Sequence, residues 1–307
     1  MNFLKLKLNS PSKSLLLLPF LAVAAFIVVA VGAQQAGQGL EVTPPSQEIQ
    51  VDPGQTTTVR ATIRNRSNRA LPIEVRVEDF TATGEQGQIE LDANSPYSVK
   101  NWIKLSDSSF SLDPGEEREV VATLTVPEGS AGGRYGSFVF AVSGKKPGAG
   151  EASLSQEIAS LFLVRISGPV DEKVALLEFS APKFSEFGPV SFSTKVKNSG
   201  NVFVKTFGLI NVTDMFGKKV KDVVVYETNV FPGANRVITA QLPDKWLFGK
   251  YNATLFLSYG QGAETLNGTL TFYVFPLRIA LVALAVLVVL FFGRKRIGKA
   301  YRALMGK

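Results

Sequence analysis

The chain of 307 residues contains no cysteine and no histidine. Without cysteine there are no disulfide bonds and no thiolate metal sites, so an exported form of the chain must be held together by its hydrophobic cores alone. Without histidine, the usual general base and the commonest zinc ligand are missing. Catalysis of the Ser-His-Asp and Cys-His classes is therefore excluded, and we expect no metal and no cofactor.

Acidic residues are lacking at both ends of the chain. Residues 1–33 and 276–307 hold ten of the 33 basic residues and none of the 26 acidic ones. That leaves 23 basic against 26 acidic residues in the stretch 34–275, a net charge of −3. The overall charge of +7 belongs to the two flanks and not to a basic face of the central region. We therefore expect no nucleic-acid partner.

Two long apolar runs lie near the ends of the chain. Residues 15–31 follow three lysines and lead into Gly32-Ala33, which is the pattern of a secretory signal over residues 1–33, either cleaved or kept as a signal anchor. Residues 275–293 form a second run, about 28 Å long as a helix at ~1.5 Å per residue, and predict a transmembrane helix.

The tail 294–307 begins with Arg294-Lys295-Arg296 and contains no acidic residue. Basic residues directly after a membrane span favour the cytoplasmic side, so we expect a single-pass protein of the cell membrane with the bulk of the chain outside. The tail is either a simple stop-transfer segment or a basic amphipathic helix on the lipid surface.

Between the two runs, apolar and polar residues alternate with a period of two, as in Thr58–Ile63 and Val190–Val196. Pro-Gly, Asn-Ser-Gly and Pro-Glu breaks separate these segments. This pattern is typical of antiparallel sheets with one buried face. We predict an all-β protein of two tandem immunoglobulin-like β-sandwiches, the first over residues 40–168 and the second over 169–274. Residues 144–153 are expected to form a flexible hairpin loop.

The two predicted sandwiches repeat their turn residues in the same order. Asn65 corresponds to Asn198, and a Pro-Gly turn then precedes a strand in both halves. A second proline follows, eight residues before Tyr135 in one half and eight before Tyr251 in the other. A structural explanation of the shared asparagines is that Asn-rich turns tolerate the left-handed conformation. Each tyrosine is expected to begin a strand with its ring packed inward and its hydroxyl bonded to backbone, as in a tyrosine corner.

The first half carries an insertion relative to the second. From Asn65 to Pro114 is 49 positions, against 34 from Asn198 to Pro232, and the surplus lies in roughly 81–107. Extra loops on a rigid sandwich are often the place of ligand binding. An aromatic ring with amide and basic neighbours suits a sugar ring and its hydroxyls, and the candidate binding residues are Tyr97, Asn101, Trp102, Lys104, Arg134 and Tyr135.

Trp102 and the acidic pairs each have a structural interpretation as well. Trp102 can instead anchor the core at the start of a strand over 102–105. Neighbouring acids occur at Glu116-Glu117 and Asp171-Glu172, but adjacent strand residues point to opposite faces, so neither pair is a glycosidase pair by itself. No phosphate-binding, dinucleotide-binding or calcium-binding motif is present. We therefore expect no enzyme activity.

The order of motifs resembles a known family. A signal precedes Asp52-Pro53-Gly54 and Val75–Phe80, then Trp102-Ile103 and Gly133–Ser137, and a second sandwich, a membrane helix and a basic tail follow. This is similar to the WxL-interacting proteins of bacterial cell surfaces. The resemblance implies a first domain that binds peptidoglycan and a second domain that binds a host or partner protein.

Together these patterns favour a non-enzymatic, membrane-anchored adaptor that contacts cell-wall glycan, a surface protein, or both. One alternative is a chaperone-like subunit that lends a sheet edge to another envelope protein. Another is an accessory subunit of a membrane or envelope complex.

Overall fold

The computed structural model describes residues 39–92, 94–143 and 156–304. Its described part contains two β-sandwiches followed by one long helix. The expected secretory signal over 1–33 and the expected flexible loop over 144–153 lie outside the described residues. The prediction of an all-β chain with two tandem immunoglobulin-like sandwiches and a C-terminal helix is confirmed.

Ten strands form the described part of the first sandwich: β1 Leu40–Thr43, β2 Ser46–Val51, β3 Thr56–Asn65, β4 Leu71–Thr83, β5 Gln88–Leu91, β6 Ile103–Leu105, β7 Ser109–Leu112, β8 Glu117–Thr125, β9 Gly132–Val142 and β10 Glu157–Ile166. One sheet has the order β1-β3-β8-β6, and the facing sheet has the order β2-β10-β9-β4-β5, with β7 also paired to β4. Alternate residues of β3 and β8 are buried, as in Val59, Ala61 and Ile63, and they pack against Phe138 and Phe162 of the facing sheet.

Eight strands form the second sandwich: β11 Val174–Ser180, β12 Phe184–Ser185, β13 Val190–Asn198, β14 Val204–Asp214, β15 Lys219–Val230, β16 Asn235–Leu242, β17 Gly249–Tyr259 and β18 Glu264–Val274. Its sheets have the orders β11-β13-β16 and β12-β18-β17-β14-β15. The core lies between them and includes Phe192, Ile210, Leu255 and Phe272.

Both sandwiches begin in the same way, which extends the repeat from sequence to topology. In each, the first strand pairs antiparallel within the smaller sheet, β1 with β3 and β11 with β13. The chain then crosses to the larger sheet, where β2 pairs parallel with β10 and β12 pairs parallel with β18.

The corresponding asparagines explain why the turn sequences recur. Asn65 is buried, and its amide nitrogen donates to the carbonyl oxygens of Arg69 at 2.7 Å and Leu112 at 2.9 Å. Asn198 is equally buried and donates to Val202 and Val230, both at 2.8 Å. Each side chain therefore ties the end of one strand to the turn before another.

The turns after Asn65 and Asn198 do not use the left-handed conformation that asparagine tolerates. Among the described residues, Ala263 is the non-glycine residue with positive φ. Asn65 and Asn198 instead end β3 and β13 in extended backbone and bond through their side chains. Their side-chain amides supply hydrogen-bond donors to backbone carbonyl oxygens. A left-handed backbone at these positions would not supply these donors.

The C-terminal helix, α1, spans Leu277–Leu304. It begins two residues after the predicted start because Pro276 keeps Phe275 out of the helical conformation. It also continues past Gly293 through the basic segment without a break. Its first 18 residues, Leu277–Arg294, have a mean hydropathy of 2.3, and none of them is buried inside the structure. A core helix would be covered by the protein, whereas this one is exposed along its apolar length.

Candidate binding surfaces on the first sandwich

The inserted segment of the first sandwich is organised by one buried carboxylate. Asp79 lies near the end of β4 and is 1% exposed. It accepts hydrogen bonds from the Val99 amide at 2.8 Å, the Lys100 amide at 2.9 Å and the Ser98 hydroxyl at 2.5 Å. Three donors from consecutive residues satisfy the carboxylate in the interior. The acid therefore fixes the segment that carries the candidate residues.

Trp102 ends a single 3-10 turn, Lys100–Trp102, which follows this anchor directly. Its ring is half-buried and packs against the core of the first sandwich. The Arg134 guanidinium carbon lies 5.2 Å from the centroid of the ring, and an Arg134 Nη donates to the Gly133 carbonyl at 2.8 Å. Trp102 thus serves as a core anchor, and its ring is also covered in part by a fixed cation.

Polar side chains surround the exposed edge of this turn. Asn101 and Lys104 are exposed, on the turn and on edge strand β6 respectively. Lys100 pairs with Glu78 at 2.7 Å, and Glu78 lies 3.5 Å from Arg76. Amide and ammonium donors are therefore exposed within two residues of Trp102 in the chain.

Tyr135 lies on the opposite face of β9 from its neighbour Arg134. Its ring packs in a third hydrophobic cluster, which we call the junction cluster: Phe80, Tyr135, Leu163, Val202 and Phe203, with Tyr97 and Phe231 at its margin. The Tyr135 hydroxyl accepts a hydrogen bond from the Phe203 amide at 2.7 Å. Phe203 belongs to the second sandwich, so the bond crosses between the two domains. Burial raises the pKa of the Tyr135 hydroxyl well above its usual range.

The two tyrosines of the repeat differ in which way they face. Tyr251 behaves as expected: it packs in its own core, accepts from the Phe248 amide at 2.9 Å and donates to the Phe248 carbonyl at 3.2 Å. For Tyr135 the hydroxyl-to-backbone bond is present, but the expectation of an inward ring is wrong. Phe138 and Phe140 take the inward positions of β9, so alternation turns Tyr135 outward to the second sandwich.

Ion pairs extend the contact between the sandwiches. Lys205 lies 3.0 Å from Glu48 of the first sandwich and 3.0 Å from Glu227 of the second, and hydrogen bonds to these two carboxylates raise its pKa. Arg165 pairs with Glu172 at the domain connection. The β4–β5 hairpin also contacts β16, where the Val237 amide donates to the Glu85 carbonyl at 2.7 Å.

Two concave regions include residues of the junction cluster in their linings, Phe203 in one and Tyr135 in the other. One, of about 340 Å³, is lined by charged residues, including Arg165 and Lys205. The other, of about 320 Å³, is lined by Tyr97 and Pro96 of the insertion and by Phe231 and Pro232 of the second sandwich.

The six candidate residues therefore occupy two places. Trp102 and Arg134 are in contact, and Asn101 and Lys104 are exposed at neighbouring positions of the chain. Tyr97 and Tyr135 are 5.6 Å apart between ring centroids, inside the domain junction. Asp79, Phe203 and Phe231 were missed. A carboxylate within the apolar alternation of β4 was the available signal for Asp79, whereas a contact across 68 positions of sequence left no local signal for Phe203.

A family model matches most of the first sandwich, and several solved structures are similar to the chain. Residues 45–141 match the family model of the WxL Interacting Protein, peptidoglycan binding domain. A search of curated proteins finds no match.

Among solved structures, the chain is similar to the class 5 fimbriae chaperone CfaA (13% identity, 75% of this chain and 98% of that chain, TM-score 0.39). It is also similar to the YadV chaperone (9%, 76% and 99%, TM-score 0.37) and to a chain in the complex of Salmonella enterica SafA pilin with the SafB chaperone (11%, 76% and 96%, TM-score 0.36). These scores carry no inference about function. The family match covers Asp79, Trp102 and Tyr135 together, so the first β-sandwich of this chain is similar to the peptidoglycan binding domain of the WxL-interacting proteins.

Proposed function

We propose that this protein is a non-enzymatic adaptor of the cell surface. Its first sandwich binds cell-wall glycan, its second sandwich binds a surface protein, and α1 anchors both in the membrane. The observation that carries the proposal is the match of residues 45–141 to a peptidoglycan-binding domain. The exposed apolar helix and the domain junction support the architecture of an anchored, two-domain adaptor.

The surface around the Lys100–Trp102 turn suits a glycan of amino sugars. Such a glycan presents hydroxyl, acetamido and carboxylate groups. The Asn101 amide and the Lys104 ammonium supply donors for them, and the exposed edge of Trp102 supplies apolar contact with a sugar ring. Asp79 and Arg134 hold this turn in place, so little ordering cost is incurred on binding.

Sedimentation with insoluble peptidoglycan tests the glycan contact. The full chain in detergent micelles should pellet with the polymer, and the Asn101→Ala and Lys104→Ala variants should each lower the affinity about fivefold, the value of one hydrogen bond of about 1 kcal/mol. Lys197→Ala, at an exposed position of the second sandwich, is the matched control. Equal retention of all four proteins would remove this surface from the proposal, and no retention of the parent would remove the glycan partner.

The membrane anchor rests on length, composition and exposure. The apolar stretch Leu277–Arg294 is about 27 Å long at ~1.5 Å per residue, close to the thickness of a hydrocarbon core. Basic residues follow it and acidic ones do not, which favours a cytoplasmic C-terminus and an external pair of sandwiches.

An apolar face on the second sandwich suits a protein partner. Leu209 on β14 lies opposite Val224 on β15 and Phe256 on β17, and all three are exposed. Phe207 and Tyr226 extend the patch, and Tyr226 is 78% exposed. The solvent face of an antiparallel sheet is normally polar, so a contiguous apolar patch on it indicates an interaction site.

Charge insertion on this face tests the protein partner. Leu209→Lys should abolish capture of the partner in cross-linking on intact cells. Asn267→Lys, opposite Phe256 on the polar part of the same face, should leave capture intact. Unchanged capture by Leu209→Lys would contradict the role of the apolar face.

The chaperone-like alternative is favoured by one observation: β15 is the outer strand of its sheet. One row of its backbone groups therefore faces away from the sheet and is available for strand addition. Hydrogen exchange of the captured complex separates the two functions. Protection at alternate amides of β15 indicates strand addition, whereas protection that follows the side chains of the apolar face indicates an adaptor.

A further inference from the structure

Large apolar side chains are exposed at the end of the second sandwich from which α1 leaves. β14 ends, β15 begins, β17 begins and β18 ends at this end, because these antiparallel neighbours pair Asp214 with Tyr251 and Gly249 with Val274. The turns between them form what we call the basal surface. Its apolar residues are exposed by 50% to 86%, and they are Phe184, Met215, Phe216, Trp246, Phe248 and Tyr273.

The turns that carry these side chains are held by specific contacts. In the β14–β15 turn, Asp214 accepts from the Phe216 and Lys218 amides, both at 2.9 Å, and Gly217 adopts a φ of 78°. This leaves the Phe216 side chain 86% exposed at the tip. These contacts therefore hold the Phe216 side chain away from the hydrophobic core and exposed at the surface.

The β16–β17 turn has the same character. Leu247 is 5% exposed and inserts into the core, while Trp246 and Phe248 on either side of it are 59% and 58% exposed. The Tyr251 hydroxyl bonds to both backbone groups of Phe248, and its ring stacks 5.4 Å from Phe272. The tyrosine of the second repeat thus fixes the turn that exposes Trp246.

Positive charge collects on the same surface. The segments 181–189, 214–219, 243–250 and 273–278 contain six basic residues and three acidic ones. The region 34–275 as a whole is net negative, so this end differs in sign from the rest. Lysines beside exposed aromatic rings are the composition found where proteins meet membrane headgroups.

The connection to α1 is short and tied to the basal surface. The Tyr273 amide donates to the Lys183 carbonyl and the Phe275 amide donates to the Ser185 carbonyl, both at 3.0 Å. Arg278, in the first turn of α1, lies 3.3 Å from Glu186. Two residues separate β18 from α1, so a membrane that holds the helix must lie close to these turns.

We propose that the basal surface lies in the headgroup region of the membrane that α1 enters. Trp246, Phe248 and Phe216 insert at the boundary of headgroups and acyl chains, and the lysines contact anionic lipid headgroups. The contact fixes the tilt of the second sandwich on the membrane and points the first sandwich away from it. This inference rests on the proposed membrane insertion of α1.

The two tryptophans of the chain provide the test. The full chain is placed in vesicles of phosphatidylcholine and phosphatidylglycerol, some of whose acyl chains are brominated near the headgroup. Trp102→Phe leaves Trp246 as the single fluorophore, and Trp246→Phe leaves Trp102 as the matched control. We expect strong loss of Trp246 emission by the brominated lipid and no loss of Trp102 emission.

A third protein reports on the helix itself. Leu284→Trp in the variant that lacks both native tryptophans should be quenched by lipid brominated deeper in the acyl chain. If Leu284→Trp is quenched and Trp246 is not, the basal-surface inference is overturned and the anchor stands. If Leu284→Trp is not quenched, the anchor of the proposed function fails. A blue-shifted but unquenched Trp246 indicates a protein partner on this surface and overturns the lipid assignment.

Discussion

The two sandwiches share a framework and differ in what they do with one tyrosine. Asn65 and Asn198 make the same bonds at the same place in each repeat. Tyr135 and Tyr251 have the same spacing from a proline, but Tyr135 bonds to the neighbouring sandwich and Tyr251 bonds to its own turn. The two asparagines therefore have the same structural role in both repeats. The two tyrosines differ, because each makes the contact that its own surroundings offer.

The difference matters because each tyrosine stabilises a different region of the chain. Tyr135 closes the junction between the first and second sandwiches, and Tyr251 fixes the turn that carries Trp246 and Phe248 at the basal surface. The chain is thus ordered as first sandwich, junction, second sandwich, basal surface and helix. Substitutions at these residues test the difference between the two sandwiches.

Asn65→Ala and Asn198→Ala test the shared framework. Each removes two hydrogen bonds from a buried side-chain amide to backbone carbonyl oxygens, so we expect each to lower the free energy of unfolding of its own sandwich by about 2–3 kcal/mol. Denaturant titrations of the full chain in micelles measure this loss. The exposed control Lys197→Ala should change it very little. A large loss at one asparagine and none at the other would break the equivalence of the two repeats.

Tyr135→Phe and Tyr251→Phe test the difference. Tyr135→Phe leaves the buried Phe203 amide unpaired and should weaken the junction by about 1–2 kcal/mol, so the two sandwiches should unfold in more separate steps. Tyr251→Phe should lower the stability of the second sandwich by about 1 kcal/mol and leave the coupling unchanged. Calorimetry of both variants checks this, and identical thermograms would contradict the assignment of Tyr135 to the junction.

Alkaline pH should loosen the junction. The folded-state pKa of Tyr135 is raised by burial, whereas the unfolded value is about 10. The unfolded state therefore loses its proton first, so the contribution of Tyr135 to stability is complete below about pH 10 and declines as the pH rises above that value. Tyr135→Phe should show a smaller decline over the same range. If parent and variant decline equally, the buried hydroxyl is not the cause.

Lys205→Met should have the smallest effect. Its side chain is 37% exposed and its two carboxylate partners are accessible to water, so removal of the pairs should cost less than about 1 kcal/mol. Its pKa is raised, so its contribution is present below about pH 10.5 and lost above it. Salt titration of the unfolding transition checks this effect, which should vanish at high ionic strength.

Much of the fold could be predicted from the sequence because its signals are local. Alternation in β3 and β13, the recurring turns after Asn65 and Asn198, and the apolar stretch of α1 each arise within a few residues. The repeat of the two sandwiches could be recognised from the sequence for the same reason. The start and end of α1 were less well predicted, since Pro276 delays the helix and Gly293 does not end it.

The candidate site was harder to predict because strand direction decides which residues meet. Gly132, Gly133 and Gly136 leave β9 with few side chains to set its alternation, so the outward direction of Tyr135 was not evident. Phe203 and Phe231 come from distant turns. The sequence also does not indicate which of Trp246, Leu247 and Phe248 is buried, because all three are apolar and no polar residue alternates with them.

We propose that the chain joins cell wall and membrane through its two ends. Vesicles with a fluorescent lipid and the inserted full chain should sediment together with purified peptidoglycan, and the Asn101→Ala, Lys104→Ala double variant should leave most of the fluorescence in the supernatant. If the parent protein is fully inserted and the lipid still fails to pellet with peptidoglycan at low salt, the adaptor account is contradicted.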